Sequence, residues 1–403
     1  MTATSEGLRA DLNHGDPMVA IPGPSIIPER VLNAMRQSMP NIYDGPIVEV
    51  TQSLLDDLPK IARTTSPTFI TISNGHGAWE MAITNTLSRG DKVLVLESGR
   101  FAITWGEMAA TVGVEVEILP GSEGAAVDPA AVEQRLREDT DHDIKAILVV
   151  QTDTATSVNN DVLAIRQAID AATHPALYMV DCIASLGCEW FEMDEWGVDV
   201  TVAACQKGLM VPPGLGFVWR NDKAAKAYET AGLRTGYWDW DGRLQTGAHY
   251  FVYSGTPPIM HIWGLRAALD MILEEGLENV WARHRVMASA VHACVDVWSA
   301  PGGLALNIAD PAARSTAVTT VLTGNVDPDR LRDLAERGTG LTLGLGIGDF
   351  DGRAFRIGHM GHLNPPMLLG TLATTEACLH AMGATIGGSG VAAAAVELSN
   401  SIG

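Results

Sequence analysis

The sequence predicts an α/β protein: a large domain with a mainly parallel sheet between helices, then a smaller α+β domain. Three observations predict it. From about residue 66, short apolar, β-branched runs alternate with stretches of helical period. Strand, helix, strand, helix in that order makes a mainly parallel sheet covered on both faces. After two long helical stretches near residues 260–300 the pattern thins, which marks a change of domain.

The elements follow in chain order. The first twenty residues are polar and read as a flexible arm, and "IPGPSIIPE" as a proline-stiffened entry. Seven strand-like runs come next: "TFITIS" (68–73), "KVLVLE" (92–97), "VEVEIL" (114–119), "KAILVV" (145–150), "ALYMV" (176–180), "VDVTVAA" (198–204) and "LGFVW" (215–219). They give a seven-stranded sheet. "HGAWEMAITNTL", "RFAITWGEMAAT", "PAAVEQRLRE" and "DVLAIRQAIDAA" carry helical spacing between them. A short turn joins the last two runs, so that pair reads as antiparallel. A helix follows "TPP", and "GLENVWARHRVMASAVHACVDVWSA" is a second. Beyond it come a strand near 316–322, a helix near 327–336, a glycine-rich stretch, the strand "AFRIG" and a helix near 366–383. The tail reads as a final packed helix. The predicted boundaries are 1–20 for the arm, 21–276 for the large domain and 277–403 for the small one.

Bulk properties narrow the function. The 403 residues carry a formal net charge of −21. Such a surface repels phosphate backbones and anionic lipid, which argues against nucleic acid or membrane as partner. The five cysteines show no metal or redox spacing and read as free thiols of a reducing, cytoplasmic setting. The amino-terminal stretch has no apolar core of a signal peptide. No apolar run is long enough to cross a bilayer.

In open α/β sheets, ligands sit beyond the carboxyl ends of the strands. "FITIS" delivers Asn74, Gly75 and His76 into a helix start, where free N–H groups and the helix dipole suit an anion. Most such turns are only turns, and Glu80 stands where a dinucleotide fingerprint needs its third glycine. "ALYMV" delivers Asp181, which alone reads as a cap or an ion pair. "VDVTVAAC" delivers Gln206 and Lys207. A lysine at the mouth of a buried strand snorkels out, or loses its proton and becomes a nucleophilic amine. Arg356 lies between apolar neighbours in the small domain, where its fork suits a carboxylate. Taken together these match pyridoxal 5′-phosphate: a helix start for phosphate, a lysine for the aldehyde, an acid for the ring nitrogen. An amino-acid substrate would bring the carboxylate for Arg356.

The chain resembles the class V, fold-type I aminotransferases, in particular the alanine-, serine- and aspartate–glyoxylate group. The motifs are "PGPS", "NGHGAWEMAITNTLSRGDKVLV", "VDCIASLG", "DEWGVDV", "QKGLMVPPGLGF", "TPP" and "FRIGHMG". The resemblance implies Lys207 as Schiff-base lysine and proton carrier, with Asp181 on the pyridine nitrogen. It implies Asn74, Gly75, His76 and Gln206 at the phosphate. It puts Phe101 and Ile183 on the two ring faces and Thr154 on the phenolic oxygen. Arg356 would hold the substrate carboxylate, with Gly23 and Tyr43 on the substrate side. Tyr253 and Thr256 would reach the phosphate of a neighbouring subunit, which implies a homodimer with shared active sites.

The chain departs from the family in two stretches. "NIYDGP" stands where relatives carry an arginine, so a side-chain carboxylate on the donor lacks its partner. "QTDTATSV" replaces a usual His-x-Glu-Thr-x-Thr-Gly-Val, with Gln151 for histidine, Asp153 for glutamate and Ser157 for glycine. Serine resists the positive φ that a glycine there allows. The resulting expectation is transfer of an amino group from an alanine-, serine- or aspartate-type donor to glyoxylate or pyruvate. A lyase or a pyridoxamine–pyruvate-type transaminase of the same superfamily is the alternative. A desulfurase needs a loop cysteine in the small domain, whereas Cys294 and Cys378 read as helix core. The missing fingerprint argues against a nicotinamide dehydrogenase. The Lys207, Asp181 and Arg356 set argues against a ligand sensor. No metal site is expected. His359 and His362 lack a third ligand.

Overall fold

The computed structural model describes residues 11–245, 247–299 and 303–402. After a short strand, β1 (Met18–Ala20), the seven apolar runs become strands of one sheet. They are β2 (Thr68–Ser73), β3 (Lys92–Leu96), β4 (Glu115–Leu119), β5 (Ile144–Val150), β8 (Leu177–Asp181), β9 (Val200–Ala204) and β10 (Gly214–Arg220). A two-stranded ribbon of β6 (Thr152–Asp153) and β7 (Val158–Asn159) follows β5. The sheet order is β2-β10-β9-β8-β5-β3-β4. Only β10 runs antiparallel to its neighbours β9 and β2, as the short turn before it predicts. Except at the edge strand β4, where Glu115 and Glu117 alternate with apolar residues, both faces are largely buried, so the strands read as continuous apolar runs. Val93 and Val95 join the core on one face, and Leu94 and Leu96 the core on the other.

The helices of the large domain are α1 (Glu29–Ala34), α2 (Pro46–Ala62), α3 (Gly75–Thr86), α4 (Arg100–Thr111), α5 (Pro129–Glu138), α6 (Val162–Ala171), α7 (Asp222–Thr230), α8 (Trp240–Arg243) and α9 (Ile259–Glu275). Several begin where a short polar side chain accepts a free N–H of the first turn. Asn74 caps α3, Asp128 caps α5 ahead of Pro129, and Asp161 caps α6.

The chain then enters α10 (Leu277–Trp298), α11 (Pro328–Thr339), α12 (Pro365–Ala381) and α13 (Gly390–Ser399). With them comes a second sheet of β11 (Ala305–Leu306), β12 (Val318–Leu322), β13 (Leu341–Leu345) and β14 (Ala354–Gly358), ordered β1-β13-β14-β12-β11. Here the sequence-based expectation needs correcting. Met18–Ala20, assigned to the arm, is the edge strand β1 and pairs in parallel with β13. Residues 1–10 of the expected arm lie outside the described residues.

Glu189 ties the two sheets' surroundings together. It is 3% exposed and accepts hydrogen bonds from Thr152 Oγ1 at 2.9 Å, Ser315 Oγ at 2.6 Å and the Thr316 N–H at 3.0 Å.

Candidate active site

β8 and β9 are adjacent and parallel, with Asp181 in register with Val202. Their carboxyl ends therefore open on one side of the sheet, and Asp181 and Lys207 share that mouth. Asp181 is 3% exposed. Its Oδ2 accepts the Trp79 Nε1–H at 2.8 Å and its Oδ1 the Ile183 N–H at 2.6 Å. Burial pushes its carboxyl up to about 7 against those two bonds. The carboxylate is thus poised to ionise fully when a cation sits beside it.

Lys207 is held from the other side by the "PGPS" turn. Its amine donates to the Pro22 carbonyl. The Ser25 N–H donates to the Gln206 carbonyl at 2.9 Å, and Ser25 Oγ to the Lys207 carbonyl at 2.7 Å. A Cβ on Gly23, at φ +93°, would overlap the Lys207 side chain, so that turn position must be glycine. Burial first, then the positive charge of Arg356, lowers the amine to about 8, while Asp181 opposes the shift. A useful share of it is neutral near physiological pH, the form in which an amine attacks.

Arg356 projects from the central strand β14 and is 7% exposed. Nε donates to the Leu345 carbonyl at 2.6 Å and Nη1 to the Thr154 carbonyl at 2.7 Å. Among the described residues Nη2 has no hydrogen-bond partner and the guanidinium has no ion pair. Burial lowers it to about 10, with the Asp153 charge working the other way. An arginine bound only to carbonyls lacks an anion, and a bound carboxylate would supply one.

The start of α3 forms the third wall. Asn74 Oδ1 accepts the His76 N–H at 3.0 Å, and no acidic residue lies in the first turn. The exposed His76 imidazole packs on Trp79 with ring centroids 4.6 Å apart, and partial burial lowers its pKa. A Cβ on Gly75 would overlap Ile183. Phe101, at the start of α4, and Ile183 both lie half-buried against the same core. Thr154 is buried, and its hydroxyl has no partner among the described residues.

The structure thus brings Gly23, Asn74, Gly75, His76, Phe101, Thr154, Asp181, Ile183, Gln206, Lys207 and Arg356 to strand ends and loops around one mouth. Three other residues lie elsewhere. Tyr43 is 76% exposed on the loop before α2. Tyr253 is fully buried, and its hydroxyl bonds Thr51 Oγ1 at 2.9 Å. Thr256 is exposed ahead of α9.

Sequence reasoning missed Trp79, Pro22 and Ser25. Trp79 had a signal: it lies one helical turn beyond Gly75, on the same face of α3. Ser157 does take the positive φ of the glycine it replaces, at +64°. Its hydroxyl donates to the Thr156 carbonyl at 2.5 Å and accepts the Thr320 N–H at 3.1 Å. Gln151 accepts from Ser185 Oγ at 2.7 Å and donates to the Trp190 carbonyl at 2.9 Å. Among the described residues there is no group of three metal-ligating side chains, and no helix is long and apolar enough to cross a membrane. All five cysteines are free and buried.

Comparison with known proteins agrees with this geometry. The chain matches the aminotransferase class V family over residues 22–346. It is 41% identical to the serine–glyoxylate aminotransferase of Methylorubrum extorquens, covering 94% of this chain and 95% of that one. It is 40% identical to the L-aspartate–glyoxylate aminotransferase of Paracoccus denitrificans, covering 93% and 94%. Among solved structures, the ureidoglycine–glyoxylate aminotransferase of Bacillus subtilis superposes with a TM-score of 0.87 at 25% identity, covering 97% of this chain and 100% of that one. The pyridoxamine–pyruvate aminotransferase of Mesorhizobium loti gives 0.86 at 27%, covering 96% and 99%. The sheet order, the strand-end site and these likenesses converge: the chain belongs to the class V aminotransferases, a family of pyridoxal-phosphate enzymes of fold type I.

Proposed function

We propose that the protein uses pyridoxal 5′-phosphate to move an amino group from a small amino acid to a small 2-oxo acid such as glyoxylate or pyruvate. One observation carries the reading: a buried amine lowered to about 8 and a buried carboxyl raised to about 7 share a strand-end mouth with an arginine that lacks an anion. The donor set suits the cofactor. The α3 start with Asn74, Gly75 and His76 would take the phosphate, helped by Gln206. Phe101 and Ile183 would bracket the ring, and the free Thr154 hydroxyl would meet the phenolic oxygen. When bound, pyridoxal phosphate supplies an aldehyde for an amine and a ring that accepts carbanion charge.

The chain's own residues do the rest. Lys207 holds the cofactor at rest. Once a substrate amine had taken its place, its Nζ would remove the proton from the substrate Cα and deliver it to the former aldehyde carbon, two atoms away. Asp181 would keep the ring nitrogen of a bound cofactor protonated. Arg356 orients the substrate by its carboxylate, a charge-assisted contact worth about 1.5–3 kcal/mol. The Tyr43–Gly45 stretch stands where the resemblance expects an arginine for a second carboxylate, so the preferred donor is one with a single carboxylate, serine or alanine. The relatives act on serine or aspartate with glyoxylate, which supports the same substrate class.

We further propose a homodimer with shared sites, in which Thr256 is the residue presented to the neighbour. Tyr253 is occupied by Thr51. The five free cysteines fit a reducing, cytoplasmic setting.

The test is a product assay with the purified protein, pyridoxal phosphate, single amino acids and glyoxylate. Glycine should form from serine or alanine, and Lys207→Ala should abolish it. No glycine from any donor, and no alanine when pyruvate replaces glyoxylate, would remove the reading. A second reading, transfer between pyridoxamine and pyruvate, is favoured by the Mesorhizobium loti neighbour. It requires that unphosphorylated pyridoxamine yield alanine from pyruvate in the same assay.

A further inference from the structure

Asp153 is a fully buried carboxylate to which the proposed chemistry gives no part. Three backbone N–H groups converge on it. Oδ2 accepts from Phe101 at 2.8 Å and Ala102 at 3.2 Å, and Oδ1 accepts from Ala155 at 2.9 Å. The first two belong to the opening turn of α4, whose dipole favours an anion there. A Cβ on Gly99 would overlap this carboxylate, so the chain keeps that space free for it. The main chain around it is committed as well. The Asp153 carbonyl accepts the Ser157 N–H at 2.8 Å, and the next carbonyl, that of Thr154, receives Arg356 Nη1 at 2.7 Å. Burial and the charge of Arg332 disfavour the charged Arg356, and Asp153 favours it.

A cap for α4 would need only one oxygen. Here the second oxygen pins Ala155 and so fixes both sides of Thr154. One side chain therefore joins the helix that carries Phe101 to the carbonyl that aims Arg356. We propose that Asp153 is a positioning residue: a single carboxylate anchors the ring-stacking side chain and the carboxylate-binding arginine in one arrangement. The inference rests on the aminotransferase reading and deepens it. It assigns the acidic position of "QTDTATS" to substrate carboxylate recognition at one remove.

The test compares holoprotein of wild type, Asp153→Asn and Asp153→Ser. Asparagine keeps the shape but loses the charge and sets an NH2 against N–H donors. Serine keeps one acceptor for the α4 start, so it preserves the cap if the asparagine variant fails to fold. Binding is read from the change in the visible cofactor band on adding L-serine or L-alanine. The same is done with ethanolamine or ethylamine, which have the amine without the carboxylate. Pyridoxal phosphate affinity is measured separately by dialysis.

Both variants should weaken the amino acids about tenfold more than the simple amines, as expected when a charge-assisted contact is misaimed. Pyridoxal phosphate affinity should also fall. Amino-acid and cofactor affinities within about twofold of wild type, far less than one charge-assisted bond is worth, would overturn the inference, even if the thermal midpoint drops. Equal losses for amino acids and simple amines would also overturn it, because Arg356 would then be unaffected. A wild type that takes up no pyridoxal phosphate overturns the aminotransferase reading and this inference with it. A responsive wild type matched by its variants overturns this inference alone.

Discussion

The buried acid of the site costs the empty protein stability, and the cost depends on pH. Folded Asp181 keeps its proton up to about 7, whereas the unfolded carboxyl releases it near 3.8. Between those values the folded state binds more protons, so stability falls as pH rises. Asp181→Asn has no such titration. The stability of wild type relative to this variant should fall by up to roughly 4 kcal/mol between about pH 4 and pH 7. Urea denaturation of the cofactor-free proteins across that range checks it, and parallel curves would show that burial does not hold the proton. Lys207 has the opposite sign. Its folded amine titrates near 8 and its unfolded amine near 10.5, so its cost to the fold is full below 8 and relieved as pH rises. Such strained groups make sense at a binding site, where a ligand supplies the missing partner.

At the scale of elements, the loop that carries Thr154 is held by an unusual residue. Ser157 sits at φ +64°, a conformation that costs a non-glycine residue about 1–2 kcal/mol. Its hydroxyl offsets this by accepting the Thr320 N–H of β12, which would otherwise be a buried orphan costing about 1–3 kcal/mol. Ser157→Ala keeps the strain and loses the bond, so it should destabilise by about 2 kcal/mol. Ser157→Gly loses the bond but relieves the strain, and should cost about 1 kcal/mol or less. Denaturation midpoints that rank alanine at or above glycine would contradict this.

The same elements show what the sequence could and could not reveal. Six strands of the large sheet were legible because burial makes each a dense apolar run, and the edge strand β4 because its glutamates alternate with apolar residues. β13 was not. Its leucines lie in a glycine-rich stretch, in which Gly344 packs against Pro22 and Arg356 with no room for a side chain. β1 is three residues long, too short for any periodicity. Asp181 and Lys207 were legible because charges at the ends of apolar runs stand out. Trp79 was not, since its bond to Asp181 spans 102 residues of chain. The bond of Tyr253 to Thr51 spans a longer stretch of chain still and was equally out of reach of the sequence.

At the scale of the molecule, the site exists only while the small sheet, which carries Arg356, stays on the large one. Glu189 is one of the ties that keep it there. Burial raises its pKa, and its Oε2 has no partner among the described residues. Glu189→Gln keeps the oxygen that serves Thr152, Ser315 and Thr316, and should lie within about 1 kcal/mol of wild type, improving relative to it as pH rises above about 4.5. Glu189→Ala orphans three donors and should cost about 3 kcal/mol, with loss of amino-acid binding as Arg356 shifts. Calorimetry with a binding titration separates the two outcomes.

Lys207 is proposed as the amine that holds the cofactor. The most direct measurement is to incubate the protein with pyridoxal phosphate, reduce the lysine-bound cofactor with borohydride, and locate the modified residue by peptide mass spectrometry. The label should fall on Lys207, and at no defined position in Lys207→Ala. A label on another lysine in the wild type, or none at all, would contradict it.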